Sequence, residues 1–433
     1  MDIQTATILL FTLAFAILLT GIPLGFATSA VAIVFAYSWF GPDALTIVTS
    51  RMYGIVTEPS LGAIPMFVLM ACLLDRSGLS TDLFNGLRIL AGKLRGGVAV
   101  QTIAVGFLMA AMSGVIGGET VLLGLLALPQ MLRLGYSKNM AIGSVCAGGA
   151  LGTMIPPSIV LIIFGLMTRT SISDLFTATV VPGTILMLSY VAYILIWCYL
   201  RPQDGPPLSD EELEKIKNSD VSPFNLVILP ACLIFLVLGS IYTGMATINE
   251  SASLGVVGAL AILVIKKRFT YKILDASVRA TVNTCGTVIW AGMGAIAIVG
   301  IYNMMGGGAY ISSLFAGIDA PPIVTILIML GIFFILGTFM DWIGIAMLTL
   351  PIFVPIVVSL GYHPIWFGVL FCINIQVAFM SPPMGASAFF LKSVAPPDIS
   401  LFDIYRSFIP FILLQISVLV LVMIFPQLAL WAL

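Results

Sequence analysis

The chain is laid out as a dozen apolar segments separated by short polar breaks, and nothing limits its fold more than this. The segments fall at about 5–20, 24–39, 61–75, 98–131, 139–167, 177–200, 223–242, 251–265, 283–302, 322–359, 365–391 and 404–430. A helix needs roughly 20 apolar residues to cross a ~30 Å hydrocarbon core. The sequence therefore predicts an all-α polytopic membrane protein surrounded by lipid. Only 9% of its residues are charged, against about 25% in soluble domains. A membrane β-barrel would show alternating segments of ~10 residues instead of long apolar runs.

The inventory of reactive side chains argues against an enzyme. The one histidine, His363, stands in "LGYHPIW", and a metal site needs three or four ligands. Neither GxxxxGK[ST] nor HExxH occurs, which removes the usual routes to ATP or metal-assisted hydrolysis. Six cysteines sit in apolar runs at no metal-ligand spacing and read as small core residues. The net charge of −1 gives no footprint for nucleic acid. The start, "MDIQTATILL", has an acid and no Lys or Arg, unlike a cleavable signal peptide.

Two segments are too long for one span and too interrupted for two. Segment 98–131 breaks at "SGVIGGET" and 322–359 at "GTFMDWIG". Their halves are short for a full crossing, so each segment predicts a hairpin that enters and returns on one side. Segments 139–167 and 365–391 carry a different interruption, "IPPS" and "SPPM". Proline lacks the N–H that would bond the carbonyl four residues back. Pro156 and Pro157 are expected to strand the carbonyls of Gly152 and Thr153, and Pro382 and Pro383 those of Ala378 and Phe379. In lipid such groups must find partners. A packing kink is the plain alternative.

These features recur at one offset. "LGY" at 134–136 and 360–362, Pro129 and Pro355, "PP" at 156–157 and 382–383, and "LF" at 175–176 and 401–402 are all 226 apart. The chain thus divides into a first repeat, 1–200, a linker, 201–222, and a second repeat, 223–433. Arg88, Lys93, Arg95, Arg133 and Lys138 flank the first hairpin, whereas 303–321 and 360–364 around the second hold no Lys or Arg. Basic loops stay inside, so the repeats are expected in inverted topology, with both chain termini outside. Arg51 and Arg169 are the exceptions. The linker reads as a solvated connector, with Ser209 and Glu212 at capping-box spacing.

Inverted repeats with broken helices are the architecture of alternating-access transporters, in which half-helix ends and unwound carbonyls meet near the midplane. The first tip offers Ser113, Gly114, Gly117 and Gly118, and the second offers Gly337, Thr338 and the carboxylate of Asp341. An acid at membrane depth costs ~2.5–3.5 kcal/mol on insertion scales and calls for a partner. Asp341 is read as part of a cation site, with a turn cap as the alternative. Glu119 has weaker support, because its repeat mate is Ile345.

At this point the chain resembles, over nearly its whole length, the large membrane subunit of tripartite ATP-independent periplasmic (TRAP) transporters. The resemblance rests on "AIPMFVLMACLL" (63–74), "KLRGGVAV" (93–100), "LPQMLRLGYSKNMAIG" (128–143), "GTMIPPSIVLI" (152–162), "GTFMDWIGIAMLTLPIFVPI" (337–356) and "SPPMGASAFFLKSVAP" (381–396). It implies an elevator-type carrier in a bacterial inner membrane, driven by Na⁺, with a small membrane subunit and a periplasmic substrate-binding protein as partners. The small subunit is expected as a separate chain. Carried onto this sequence, the cation-binding candidates are Ser113, Gly114, Gly117, Gly152, Thr153, Ile155, Pro156, Gly337, Thr338, Asp341, Ala378, Ser381, Pro382 and Gly385. The substrate-binding candidates are Ser158, Glu119 and Ser387. The first tip departs from the serine-rich SGSSAA form of many members, reading "SGVIGGE". The segment from 381 onward resembles branches that carry 2-oxo acids and other carboxylates. The alternative is a stand-alone sodium/carboxylate symporter of similar fold that needs no binding protein.

Overall fold

The computed structural model describes residues 2–87, 92–114, 117–209, 214, 223–317 and 320–433. Among the described residues every regular element is a helix, as the apolar runs require. The first half holds α1 (Ile3–Leu19), α2 (Leu24–Phe40), α3 (Ala44–Val56), α4 (Ala63–Arg76) and the short α5 (Leu79–Gly86). A hairpin follows, α6 (Gly97–Ser113) and α7 (Gly118–Arg133), then α8 (Lys138–Ala150), α9 (Ile159–Thr168) and the long α10 (Ile172–Leu200). The second half holds α11 (Pro223–Tyr242), α12 (Ile248–Ile265), α13 (Tyr271–Met304) and α14 (Gly307–Ala316). Its hairpin is α15 (Pro322–Gly337) and α16 (Trp342–Ser359), followed by α17 (Pro364–Met380), α18 (Ala386–Lys392), α19 (Leu401–Ile424) and α20 (Gln427–Leu430). Six of the described helices are long and apolar enough to cross a membrane, counting the turn at Pro59 with α4.

Hydropathy missed three elements and part of a fourth. α3, α5 and α14 are interrupted by polar residues such as Arg51, Asp82 and Ser312. α13 begins a dozen residues before its apolar run, in a stretch where Asp275 and Arg279 pair across one turn at 2.8 Å. Such i, i+4 pairs support helix without adding hydropathy.

Three of the four repeat landmarks correspond in structure. α7 and α16 both end in a left-handed glycine, Gly135 at φ 83° and Gly361 at φ 84°. The N–H of Tyr136 returns to Met131 O at 3.0 Å and that of Tyr362 to Val357 O at 3.2 Å, the six-to-one bond of a Schellman end. Pro129 and Pro355 stand at equivalent places within these helices. Both proline pairs contain a cis peptide bond. The fourth landmark fails. Ser171 and Ser400 cap α10 and α19 through the N–H groups of Asp174 and Asp403, a correspondence 229 residues apart. The connection before α19 is longer, so the two "LF" pairs fall out of register.

The helix pairings are exchanged between the halves. α7 and α6 pack on α8 as α16 and α15 pack on α17. α8 packs on α19 as α17 packs on α10, α9 on α16 as α18 on α7, and α2 on α13 as α12 on α4. At one end of the α4–α12 pair Asn249 donates to Pro59 O at 2.8 Å. At the other, Asp82 accepts from Lys266 at 2.5 Å and from Arg268 at 2.7 Å. α4 and α12 therefore run side by side in the same direction.

The linker is docked where it begins. Gly96 N–H donates to Gly205 O at 2.9 Å and Ser137 N–H to Asp204 O at 3.2 Å, while Leu208 is buried. Its first residues thus clamp the base of the first hairpin, while Arg201, Pro202, Gln203 and Pro207 are exposed. The capping pair Ser209 and Glu212 cannot be followed, because Glu212 lies outside the described residues.

Candidate functional site

The first break lies where α8 runs into Pro156 and Pro157. A single 3₁₀ turn, Leu151–Thr153, follows Ala150, and helix resumes only at Ile159. Thr153 O faces prolines three and four residues on, and the hydroxyl of Ser158 donates to it at 2.8 Å. The expectation of two stranded carbonyls is corrected to one: Gly152 O keeps no intrahelical donor from Pro156, while Thr153 O is satisfied. The second break, 381–385, shows the same economy. Ser381 N–H donates to Ala378 O at 3.0 Å, whereas Phe379 O faces Pro382 and Pro383. Burial makes these substitutions necessary, since an unpaired buried carbonyl costs about 1–3 kcal/mol.

Each hairpin tip sits against its own break. Gly114 ends α6 at φ 57°, and its carbonyl accepts from Ile159 N–H at 3.3 Å. A Cβ there would stand 2.2 Å from Pro157 O, so only glycine fits. Residues 115–116 and the side chain of Ser113 lie outside what is described. Gly117 starts α7 against the ring of Phe390 on α18. In the second tip, a Cβ on Gly337 would stand 2.5 Å from that of Ala378. Thr338 is buried and donates to Ile335 O at 2.7 Å.

Asp341 occupies the N-cap of α16. Its carboxylate lies beside the N–H groups of Trp342 and Ile343, where the helix dipole favours negative charge. The side chain is exposed and opens on a cavity of about 210 Å³. Gly337, Thr338, Ile375, Phe379, Met384 and Ala386 also line that cavity. The second tip and the second break thus share one space with an acid on its wall.

The remaining candidates separate into groups. Gly152 lies against the carboxylate of Glu119, about which a Cβ would meet oxygens at 3.0 and 3.1 Å. Glu119 is buried and borders a different cavity of about 190 Å³, between α6 and α4. Ile155 and the ring of Pro156 face an apolar recess with Ala231 and Ile234. Their side chains take no part in a polar site. Ser158 turns back onto Thr153, and Ser387 is buried beside Cys146. The three substrate candidates are not drawn together by any described bond. Ser381 donates to Val377 O at 2.7 Å, and a Cβ on Gly385 would stand 2.6 Å from Ser381 O, so the second break folds back on itself.

Two residues escaped the sequence reading. Gln376 Nε2 donates to Ala150 O at 2.6 Å and Asn374 Nδ2 to Leu330 O at 2.7 Å. Gln376 ties the end of α8 to α17, and Asn374 ties α17 to the second hairpin. The signal was present in "FCINIQVAFM", where two amides interrupt an otherwise apolar span.

Helical hairpins seated on two proline-broken helices, in a chain this apolar, define a polytopic membrane transporter. The fold is shared with the YdaH transporter of Alcanivorax borkumensis, at a TM-score of 0.64 and 16% identity, over 90% of this chain and 89% of that one. The chain belongs to the family described as tripartite ATP-independent periplasmic transporter, DctM component, whose model matches residues 11–428. It is 27% identical to the sialic acid TRAP transporter large permease protein SiaM of Vibrio cholerae, covering 95% of this chain and 94% of the relative. It is 26% identical to the C4-dicarboxylate TRAP transporter large permease protein DctM of the same organism, covering 98% and 97%. The family is one of transporter permeases, not of enzymes, and its expected membership stands.

Proposed function

We propose that this chain is the large permease of a sodium-driven uptake system for a small organic anion, a carboxylate handed over by a periplasmic substrate-binding protein. The observation that carries the reading is the second tip. There an acid at a helix N-terminus, a proline-freed carbonyl at Phe379 and a cavity of about 210 Å³ fall together. These groups suit a hard monovalent cation, which takes oxygen ligands. Asp341, Thr338 and the Phe379 carbonyl would hold sodium at this tip, and the Gly152 carbonyl, one residue before the counterpart of Phe379, would be a donor at the first. Bound sodium supplies positive charge beside the anion and couples its entry to the ion gradient. The names of the relatives, for sialic acid and for C4-dicarboxylates, support a carboxylate cargo.

The exchanged helix pairings support two inverted repeats. The turn before α4 places Pro59 beside Asn249, and Ser77, just after α4, lies beside Arg268. The α12–α13 loop therefore lies at the end of α4 that carries the basic loops, and on the inverted reading its counterpart at 41–43 lies across the membrane. The hairpins and broken helices form one body, α6–α9 with α15–α18, and α1–α4 with α11–α13 form a frame. Movement of the body along the frame is the elevator. We place the small subunit on a separate chain, the complex in a bacterial inner membrane, and both termini on the periplasmic side.

The decisive experiment is uptake into proteoliposomes, using the complex with its small subunit and a binding protein. Asp341→Asn should raise the sodium concentration for half-maximal uptake at least about tenfold, a loss of about 1.4 kcal/mol in ion binding. An unchanged sodium curve removes Asp341 from the site, and uptake without the binding protein indicates the stand-alone symporter. Cysteines placed at His363 and Lys272 should react from opposite faces of the membrane. Reaction of both from the periplasm would refute the inversion.

A further inference from the structure

Arg51 and Arg169 stand out because they break the charge rule that every other basic loop obeys, and the structure puts both on one cavity. This space of about 540 Å³ lies between α3 and α13 on one side and α9 and α16 on the other. Arg51, Glu58, Asn303, Gly300, Arg169 and Pro351 are on its wall. Among the described residues neither guanidinium makes a hydrogen bond or ion pair, and Glu58 pairs with neither. Pro351 is ten residues along α16 from Asp341, about 15 Å at the helical rise. The cavity is therefore distinct from the one at the second tip, and it straddles the proposed frame and the proposed moving body.

Arg51 is seated on α13. A Cβ on Gly300 would stand 3.4 Å from Cγ and 3.6 Å from Nε of Arg51, so the missing side chain gives the arginine stem a flat bed. The repeat supplies a control. Features that build the fold recur in both halves, as the proline pairs and the glycine helix ends do. The counterpart of Arg51 at an offset of 226 is Ser277, which donates to Cys72 O at 3.3 Å. Architecture accepts a serine there, so it does not require the guanidinium. A lipid-anchoring arginine would face outward, whereas these two face a gap between helices.

We infer that this cavity is an outer anion site, distinct from the tips, which takes a small organic carboxylate bearing at least one hydrogen-bond donor. Arg51 and Arg169 together hold the carboxylate in charge-assisted hydrogen bonds, and Glu58 accepts from the donor group. The net charge of these three side chains is +1, which matches a monoanion. One wall moves relative to the other in the elevator, so the ligand bridges frame and body and is released when they separate. The inference rests on the reading of the cargo as an organic anion.

The test reads arginine chemistry instead of transport. The complex with its small subunit is treated with phenylglyoxal, and modification is followed peptide by peptide, with exposed Arg279 as internal control. Lactate, gluconate and citrate are the probes, against sodium chloride at equal ionic strength. At least one should slow modification of Arg51 and Arg169 together by about threefold, the factor expected near twice its Kd, with Arg279 unaffected. Arg169→Gln should abolish protection of Arg51, and Arg169→Lys should retain it. Protection by none of the three overturns the site. So does protection of Arg51 that survives Arg169→Gln, or protection only in phosphatidylglycerol nanodiscs, which would assign the arginines to a lipid phosphate. The readout needs neither a sodium gradient nor uptake. Failure here leaves the Asp341 reading standing, and a flat sodium curve leaves this site standing.

Discussion

The two hairpin tips are built on the same plan and differ in chemistry. In each, four residues separate the helical arms, 114–117 in the first and 338–341 in the second. The residue that starts the returning helix is Gly117 in one and Asp341 in the other. The glycine is spent on close packing against Phe390, and Gly114 on close approach to Pro157. The aspartate faces a cavity instead, with Phe339 and Met384 exposed around it. The described ends of the first tip thus serve close packing, while the second presents a polar opening. Glu119 enters α7 two residues later than Asp341 enters α16; its carboxylate lies against Gly152, and it borders a separate cavity.

Substitutions at the two tight glycines should break this comparison most sharply. Gly114→Ala meets Pro157 O at 2.2 Å in a left-handed conformation, so both clash and backbone oppose it. It should cost about 2–4 kcal/mol and abolish uptake, measured by thermal unfolding and proteoliposome transport. Gly337→Ala meets only the Ala378 methyl at 2.5 Å. Ala378→Gly should restore its unfolding temperature, while Pro157→Gly should fail to rescue Gly114→Ala. Equal rescue of both would mean that the two glycine contacts are equally forgiving.

A smaller effect separates the two breaks. Ser158→Ala leaves Thr153 O buried without its donor and should cost about 1–3 kcal/mol. Ser381→Ala removes a hydroxyl bonded to Val377 O, while its N–H still serves Ala378 O. It should cost under about 1 kcal/mol. Indistinguishable unfolding temperatures would show that Ser158 does not hold the first break.

The plan of the fold was legible because it is written in apolar length and proline position, which act locally. Pro156, Pro157, Pro382 and Pro383 announced both breaks, and "SGVIGGET" and "GTFMDWIG" both turns. What the breaks do with their carbonyls was not legible. Ser158 and the N–H of Ser381 take over bonds that counting four residues back assigned to no one. The segments α3 and the start of α13 escaped because pairs such as Asp275–Arg279 sustain a helix that hydropathy cannot see. Gln376 and Asn374 were visible as lone amides, but their partners lie on other helices, 226 and 44 residues away. The "LF" match misled because two letters carry no backbone information, whereas the caps at Ser171 and Ser400 do.

The smallest expected effect concerns a tie that only one side of the molecule possesses. Lys138, at the start of α8, pairs with Asp398 at 2.6 Å, and the counterpart of Lys138 is Pro364. The lysine holds the Asp398 carboxyl below its ordinary value of 3.8. The bond therefore contributes above that value and is lost as pH falls through and below it. Both groups are exposed, so Asp398→Asn should only flatten the acid limb of the unfolding temperature against pH, with no change near neutrality. A parallel loss at every pH would assign Asp398 a role beyond this pair.

The bond from Gln376 to Ala150 joins a residue to its own counterpart, since 226 residues separate them. On the inverted reading, exchanging the halves carries each position onto its twin, and only a point that maps onto itself can bring twins into contact. That bond thus marks where the exchange operation passes through the protein. Features away from it can occur twice, as the proline breaks do, or once, as the Lys138–Asp398 pair does. The amide had to come from a single copy, with alanine as the small twin that leaves it room. A change at this one contact therefore acts on both halves at once, because Ala150 lies in one and Gln376 in the other.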